Sequence, residues 1–194
     1  RTDESAERVL TAVLPFRLGE IVREACDNGE HVLVFSYFLD VLQTAARHVG
    51  HRHAGTIRGN VSFKDRDQIV RDFNRRRNPG VLTLQIMAGG VGLNLQAAST
   101  VILCEPQFKP STEVQAIARS RRMGQVNSVQ VHRLVLQDSV DRLIMERLDH
   151  KQRVFDTFVR DSQAANDERA IDGSEIDFQK WVVEYERKRL GIAA

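Results

Sequence analysis

Short apolar runs alternate with amphipathic stretches along most of the chain, and this alternation limits the possible folds more than any other feature. The apolar runs predict five strands, at residues 32–35, 54–57, 81–86, 100–104 and 129–135. Around them, apolar residues recur at helical spacing at residues 18–25, 38–49, 64–74 and 111–122. Strands that alternate with helices predict an α/β fold, with a mostly parallel sheet and helices on both of its faces.

A helical extension is predicted at the end of the chain. Residues 138–160 have a long apolar side, whereas residues 162–174 are polar and contain Gly173, which is typical of a surface linker. Four apolar residues then follow at helical spacing: Phe178, Trp181, Val182 and Tyr185. We therefore expect one domain over residues 1–160, followed by a linker and an amphipathic helix over residues 161–194.

Composition places the chain among globular proteins. Apolar residues make up 42% of the sequence, which is enough for a packed core. No apolar run approaches the roughly 20 residues that cross a bilayer, so we expect no membrane partner. The first residues are polar, with neither a signal peptide nor a starting methionine, so we expect a fragment of a longer protein. We expect this fragment to be monomeric.

Cysteine content indicates a cellular compartment, whereas the net charge identifies no ligand. The net charge of +2 does not by itself establish a nucleic-acid partner. Cys26 and Cys104 are far apart and form no CxxC pair, so we expect a reducing intracellular compartment, either the cytoplasm or nucleoid or the nucleus. Three close histidines lack a nearby acidic or cysteine ligand, so we expect surface histidines rather than a metal site at His48, His51 and His53.

The loop after the third predicted strand is rich in glycine. Residues 87–95 include Gly89, Gly90 and Gly92, so a large ligand can approach the backbone closely. Exposed N–H groups in such a loop suit phosphate oxygens. Tight connections from strand to helix also use glycine, so this loop alone leaves both interpretations open.

Two arginines share a face of the helix predicted at residues 111–122. Arg119 and Arg122 are three residues apart, and their planar guanidinium groups suit a phosphate held between them. Ion pairs with carboxylates inside the domain would explain the same two residues.

Polar residues also follow the first two predicted strands. The hydroxyl of Ser36 either caps the next helix or donates to a phosphate. Gly59 permits a sharp turn, and Arg58 and Lys64 can reach a nucleic-acid backbone. The alternative role for a nearby arginine, Arg66, is to hold the following helix in place.

The order and spacing of these segments resemble motifs four to six of superfamily-two helicases. Residues 88–95, Ala-Gly-Gly-Val-Gly-Leu-Asn-Leu, and residues 115–125, Gln-Ala-Ile-Ala-Arg-Ser-Arg-Arg-Met-Gly-Gln, are similar to strings of the Swi/Snf-type branch. The resemblance covers residues 18–147. It implies the second RecA-like lobe of a helicase-like ATPase that translocates on double-stranded DNA.

The resemblance implies roles at matching positions. Arg119 and Arg122 correspond to arginine fingers, which contact the γ-phosphate of ATP and stabilise charge in the transition state. Gly92, Asn94 and Gln125 would lie on the nucleotide side of the cleft between two lobes. The sugar-phosphate backbone of DNA would be contacted by a larger set: Ser36, Tyr37, Arg58, Gly59, Lys64, Ala88, Gly89, Gly90 and Lys109.

The sequence departs from the family pattern at three places. Met87 stands where Lys or Arg is usual, and Ala118 stands where Asp is common. Residues 105–110 are Glu-Pro-Gln-Phe-Lys-Pro in place of Asp-Pro-Trp-Trp-Asn-Pro.

Two motifs expected of a helicase-like ATPase do not occur in this sequence. The sequence contains no phosphate loop and no Asp-Glu-x-His segment. We therefore expect ATP and Mg²⁺ to be bound mainly by the first lobe of the parent protein, and this chain to be inactive alone.

The competing hypothesis is a non-enzymatic nucleic-acid- or protein-binding lobe of a degenerate helicase-like protein. Arg119 and Arg122 weigh against it, because a binding platform does not need paired fingers. Met87 and Phe108 weigh slightly in its favour. A phosphate loop in the upstream sequence of the parent would favour the enzyme.

Overall fold

The fold is described from a computed structural model. It describes residues 4–88, 93–107, 110–120 and 128–135 together with Asp141, Ile144 and Met145, and for residues 4–14 the backbone alone. The chain divides into two compact units, Arg1–Glu105 with Ser111–Val135, and Pro106–Pro110 with Leu136–Ala194. Most of residues 138–160 and all of residues 161–194 lie outside the described residues, so the predicted domain boundary at residue 160 stays a prediction.

All five predicted strands are present in the first unit. They are β1 (His31–Ser36), β2 (His53–Ile57), β3 (Val81–Gln85), β4 (Ala98–Leu103) and β5 (Gln130–Arg133). Every pairing is parallel, and the order across the sheet is β2-β3-β1-β4-β5. The predicted α/β fold with a parallel sheet is therefore confirmed.

Four α-helices have both of their ends within the described residues. They are α1 (Glu4–Asp27), α2 (Leu39–Val49), α3 (Phe63–Arg75) and α4 (Pro110–Ala118). None of the helices in the described part of the chain is long and apolar enough to cross a membrane.

The end of α4 differs from the prediction, which extended this helix to Arg122. The helix stops at Ala118, because the next two N–H groups bond three residues back, Arg119 to Ala116 at 3.4 Å and Ser120 to Ile117 at 3.0 Å. The hydroxyl of Ser120 donates to the same Ile117 carbonyl at 2.7 Å and reinforces this turn. Arg119 therefore lies just beyond the helix, and residues 121–127 lie outside the described residues.

Helices cover both faces of the sheet because side chains alternate along each strand. Val32 and Val34 of β1 pack in a cluster with apolar residues of α1 and α2. Leu33 and Phe35 point the other way and pack in a second cluster with residues of α3 and α4. The central strand is buried on both faces, so its position in the sheet is fixed by packing from above and below.

Parallel pairing brings the carboxyl ends of the strands to one edge. Ser36 at the end of β1 is in register with Gln85 at the end of β3, and Phe35 is in register with Leu103 at the end of β4. The turns after β1, β2 and β3 and the residues that follow β4 therefore leave the sheet side by side. Ligands of open parallel sheets bind at this edge.

Candidate functional site

Side-chain hydrogen bonds connect four strand ends at the carboxyl edge. The Gly59 N–H, after β2, donates to Gln85 Oε1 at 3.1 Å, and Gln85 Nε2 donates to the Tyr37 carbonyl at 3.4 Å. The Tyr37 N–H, after β1, donates to the carboxylate of Glu105, which follows β4. Gln85 and Glu105 therefore fix the turns after β1 and β2 relative to one another and to the ends of β3 and β4.

Glu105 accepts hydrogen bonds from two donors at the end of β1. Its Oε2 accepts from Ser36 Oγ at 2.9 Å, and its Oε1 accepts from the Tyr37 N–H at 2.5 Å. Ser36 is fully buried, and its Oγ also accepts from the Phe38 N–H at 3.0 Å. The cap residue of α2 is Phe38 rather than Ser36. The Ser36 hydroxyl thus does not cap α2 and donates to a carboxylate of the chain itself, while its contact with a phosphate stays a prediction.

The turn after β1 also exposes aromatic side chains. Tyr37 is 52% exposed and Phe38 is 55% exposed, and their rings meet edge to face with centroids 5.4 Å apart. The exposed ring of Tyr37 is compatible with the predicted contact to DNA, whereas its backbone N–H is occupied by Glu105.

Arg66 of α3 holds two loops through backbone carbonyls. Its Nε donates to Val61 at 2.8 Å, and its Nη2 donates to Gly59 at 2.8 Å and Arg58 at 3.2 Å, all in the turn after β2. Its Nη1 donates to the Ala88 carbonyl at 2.8 Å, where the glycine-rich segment begins. Arg66 therefore holds α3 in place, as one sequence interpretation proposed, and also fixes the start of the next loop.

The remaining residues of the predicted DNA track differ in accessibility. The side chains of Arg58 and Lys64 are exposed beside the turn after β2, whereas the side chain of Ala88 is buried. Gly89, Gly90 and Lys109 lie outside the described residues.

Arg119 has a partly buried guanidinium group, one nitrogen of which is unsatisfied. Its Cζ lies 5.9 Å from the centroid of the Phe35 ring, and its Nη1 is buried with no hydrogen-bond partner among the described residues. Burial lowers the pKa of Arg119, because loss of water disfavours the charged form. Its carbonyl accepts from the Leu95 N–H at 3.2 Å, so the turn after α4 is attached to the segment that follows the glycine-rich loop.

A side chain of α3 holds the backbone at Asn94. Asn74 Nδ2 donates to the Asn94 carbonyl at 2.7 Å, and Asn74 Oδ1 accepts from the Ala97 N–H at 3.4 Å. The role of Asn74 was not predictable from the sequence, because a polar residue near a helix end gives no indication of a partner 20 residues away. The other predicted nucleotide contacts, Gly92 and Gln125, and the second predicted finger, Arg122, lie outside the described residues.

The histidine prediction is wrong for His53, which is half-buried rather than on the surface. Its Nε2 lies 3.1 Å from Thr56 Oγ1 and 3.2 Å from Thr83 Oγ1, and burial lowers its pKa. Across the part of the chain that the structure describes, no three His, Cys, Asp or Glu side chains are grouped to hold a metal ion.

Known proteins match the segment that carries these features. Residues 17–124 match the family model described as the helicase conserved C-terminal domain. The chain is 38% identical over 138 residues to the DNA repair protein RAD5 of Saccharomyces cerevisiae, covering 66% of the chain and 12% of that protein. It is 34% identical over 138 residues to the chromatin-remodeling ATPase INO80 of Arabidopsis thaliana, covering 70% of the chain and 9% of that protein.

A solved structure has the same fold. The crystal structure of the C-terminal part of the Fun30 ATPase domain superposes with a TM-score of 0.63 at 28% identity, covering 67% of this chain and 43% of that one. The chain spans only 12% and 9% of the two curated relatives above. From the matched model, the parallel sheet and these relatives, we conclude that the chain belongs to the helicase conserved C-terminal domain family, as the second RecA-like lobe of a Snf2-type superfamily-two helicase.

Proposed function

We propose that this chain is the second motor lobe of a DNA-dependent ATPase that translocates along double-stranded DNA. Arg119 and Arg122 act as arginine fingers on the γ-phosphate, and Gly92, Asn94 and Gln125 line the nucleotide side of the cleft. ATP and Mg²⁺ are held mainly by the first lobe of the same parent protein. Mg²⁺ supplies positive charge that neutralises the phosphates during transfer.

The buried Nη1 of Arg119 is the observation that carries this proposal. A buried donor without an acceptor costs about 1–3 kcal/mol, and more when the group is charged. A phosphate oxygen supplies both the missing acceptor and a compensating negative charge. The Phe35 ring, 5.9 Å from the guanidinium carbon, supports the orientation of the group before any ligand arrives. A carboxylate within the parent protein is the alternative acceptor.

A phosphate contact of this kind has a large effect on rate. Negative charge develops on the transferred phosphoryl group, and a fixed guanidinium stabilises it more strongly in the transition state than in the ground state. Loss of an arginine finger therefore lowers kcat by roughly a thousandfold or more.

The DNA track occupies the carboxyl edge in this proposal. The exposed side chains of Arg58 and Lys64 supply positive charge for phosphates, which positions the duplex without reading its sequence. The line of hydrogen bonds from Gly59 to Glu105 supports the proposal, because it holds separate turns together as one surface. The other proposed contacts on this track are Ser36, Tyr37, Gly59, Ala88, Gly89, Gly90 and Lys109.

The test is the ATPase rate of the whole parent protein, with and without double-stranded DNA. We expect DNA to stimulate the wild-type rate, and Arg122→Ala to lower kcat by roughly a thousandfold while ATP binding is retained. Arg71→Ala is the matched control, because Arg71 is an exposed arginine of α3 that pairs with Asp67 on its own helix. Its rate should equal that of the wild type.

Two results would contradict the motor. One is a wild-type protein with no ATP turnover, and the other is an Arg122→Ala variant as active as Arg71→Ala. Absent turnover combined with retained duplex binding would favour the non-enzymatic lobe, for which the exposed Met87 provides some apolar surface.

A further inference from the structure

Two donors at the end of β1 converge on one carboxylate. Ser36 Oγ and the Tyr37 N–H donate to the two oxygens of Glu105, at 2.9 and 2.5 Å. A carboxylate and a phosphodiester both present two oxygens that share one negative charge, so the same pair of donors suits either group. The carboxylate of Glu105 therefore occupies the position that an oxyanion of a ligand would need.

The geometry does not allow both anions at once. Ser36 is fully buried beneath this contact, so another anion reaches its hydroxyl only after the Glu105 side chain has moved. Two negative charges within hydrogen-bond range of the same donors would also repel each other strongly in a partly desolvated site. The backbone of the turn needs no change, because the Phe38 N–H remains bound to Ser36 Oγ on its other side.

We propose that Glu105 is an internal competitor of a DNA phosphate for the Ser36 hydroxyl and the Tyr37 amide. In the free protein, the Glu105 carboxylate keeps both donors satisfied and the turn after β1 ordered. On binding, a phosphate of the duplex replaces that carboxylate, which turns towards solvent. Glu105 thereby lowers affinity for DNA at this turn. This inference rests on the proposed function, because it takes DNA as the ligand of the carboxyl edge.

The test is the affinity of the whole parent protein for a fluorescently labelled duplex, measured by anisotropy at fixed salt. Glu105→Gln keeps the size of the side chain and removes its charge, so the phosphate displaces a weaker acceptor. Removing one unit charge beside a phosphate predicts binding that is tighter by about three- to tenfold.

Glu30→Gln is the matched control. Glu30 is also a partly buried carboxylate that accepts from a hydroxyl of β4, that of Thr100 at 2.5 Å, but it lies at the opposite, amino-terminal edge of the sheet. The same change in net charge occurs in both variants. We expect the affinity of Glu30→Gln to stay within about twofold of the wild type, because screening weakens a charge that far from the duplex.

A second pair of variants separates competition from simple charge repulsion. In a Ser36→Ala background one of the two contested donors is absent, so the gain from Glu105→Gln should fall to less than half. An unchanged gain would mean that Glu105 acts only as a distant charge, and the competition would be refuted. If Glu105→Gln does not fold, as judged by circular dichroism, Glu105→Asp replaces it, since its shorter carboxylate holds Ser36 less well and predicts tighter binding.

The outcomes distinguish this inference from the proposed function. A wild-type protein that binds no duplex overturns both. A wild-type protein that binds duplex, together with a Glu105→Gln variant of wild-type affinity, overturns the competition and leaves the motor intact. The competition is supported if Glu105→Gln binds the duplex more tightly, Glu30→Gln does not, and the gain falls in the Ser36→Ala background.

Discussion

Replacing Arg66 by alanine removes four hydrogen bonds between one guanidinium group and backbone carbonyls. The carbonyls belong to the turn after β2 and to Ala88, which begins the glycine-rich segment. The substitution therefore separates α3 from two loops that the proposed DNA track shares.

The loss of stability expected for Arg66→Ala depends on how exposed each of its four hydrogen bonds is. The bonds to Val61 and Ala88 are partly buried, and hydrogen bonds to charged groups contribute about 1.5–3 kcal/mol each. The bonds to Arg58 and Gly59 are exposed to water, so about 0.5 kcal/mol each is the appropriate scale. Bonds made by one side chain are not independent, and we expect a total loss of about 3 kcal/mol in the free energy of unfolding.

Urea unfolding followed by far-ultraviolet circular dichroism measures this loss. For a slope of about 2 kcal/mol per molar urea, the midpoint of Arg66→Ala should fall by about 1.5 M. Arg66→Lys keeps the charge without the planar fork, so its midpoint should lie between those of alanine and wild type. Arg71→Ala is the control on the same helix, and its exposed pair with Asp67 is worth less than about 0.5 kcal/mol.

The reasoning would be refuted by a loss below about 1 kcal/mol in Arg66→Ala. It would also be refuted if Arg71→Ala lost as much stability, because the four carbonyl bonds would then have no special weight. A lysine variant as stable as the wild type would show that the charge alone, rather than the forked geometry, holds the two loops.

Two further predictions concern the amino end of β1 and the segment after the glycine-rich loop. Burial lowers the pKa of His31, and its Nδ1 accepts the Gly80 N–H, so the unfolded chain binds the extra proton and stability should fall as pH drops below about 6.5. Urea unfolding midpoints measured above and below about pH 6.5 test this prediction. His31→Gln should reduce the difference between the two midpoints. Asn74→Ala should cost about 1–2 kcal/mol, and hydrogen exchange at the Ala97 amide should become faster; unchanged exchange there would contradict the assigned bond.

Local patterns were sufficient for much of the fold. The run at residues 32–35 predicted β1, which extends one residue further at each end, because an apolar β-rich run specifies a buried strand wherever the sheet places it. The end of α4 was not predictable in the same way. Ser120 terminates that helix by donating to the Ile117 carbonyl, and serine is equally compatible with one more helical turn.

The candidate site was only partly predictable. Arg66 was identified as a residue that could hold α3, but its bond to Ala88 spans 22 positions of the sequence. Gln85 and Glu105 gave no indication of their roles, since neither belongs to a local turn or cap. Their partners lie 26 and 69 positions away, and only the order of the strands brings them together.

The sequence by itself therefore determined the alternation of strands and helices, the parallel sheet and the family, because periodicity and the two long motifs are properties of neighbouring residues. Only the tertiary structure decided that β1 lies between β3 and β4, and hence that Ser36 meets Gln85 on one side and Glu105 on the other. The physical reason is that crossover connections leave strand order open until both faces of the sheet are packed. Glu105 can compete with a phosphate only because this packing places it beside Ser36 and Tyr37.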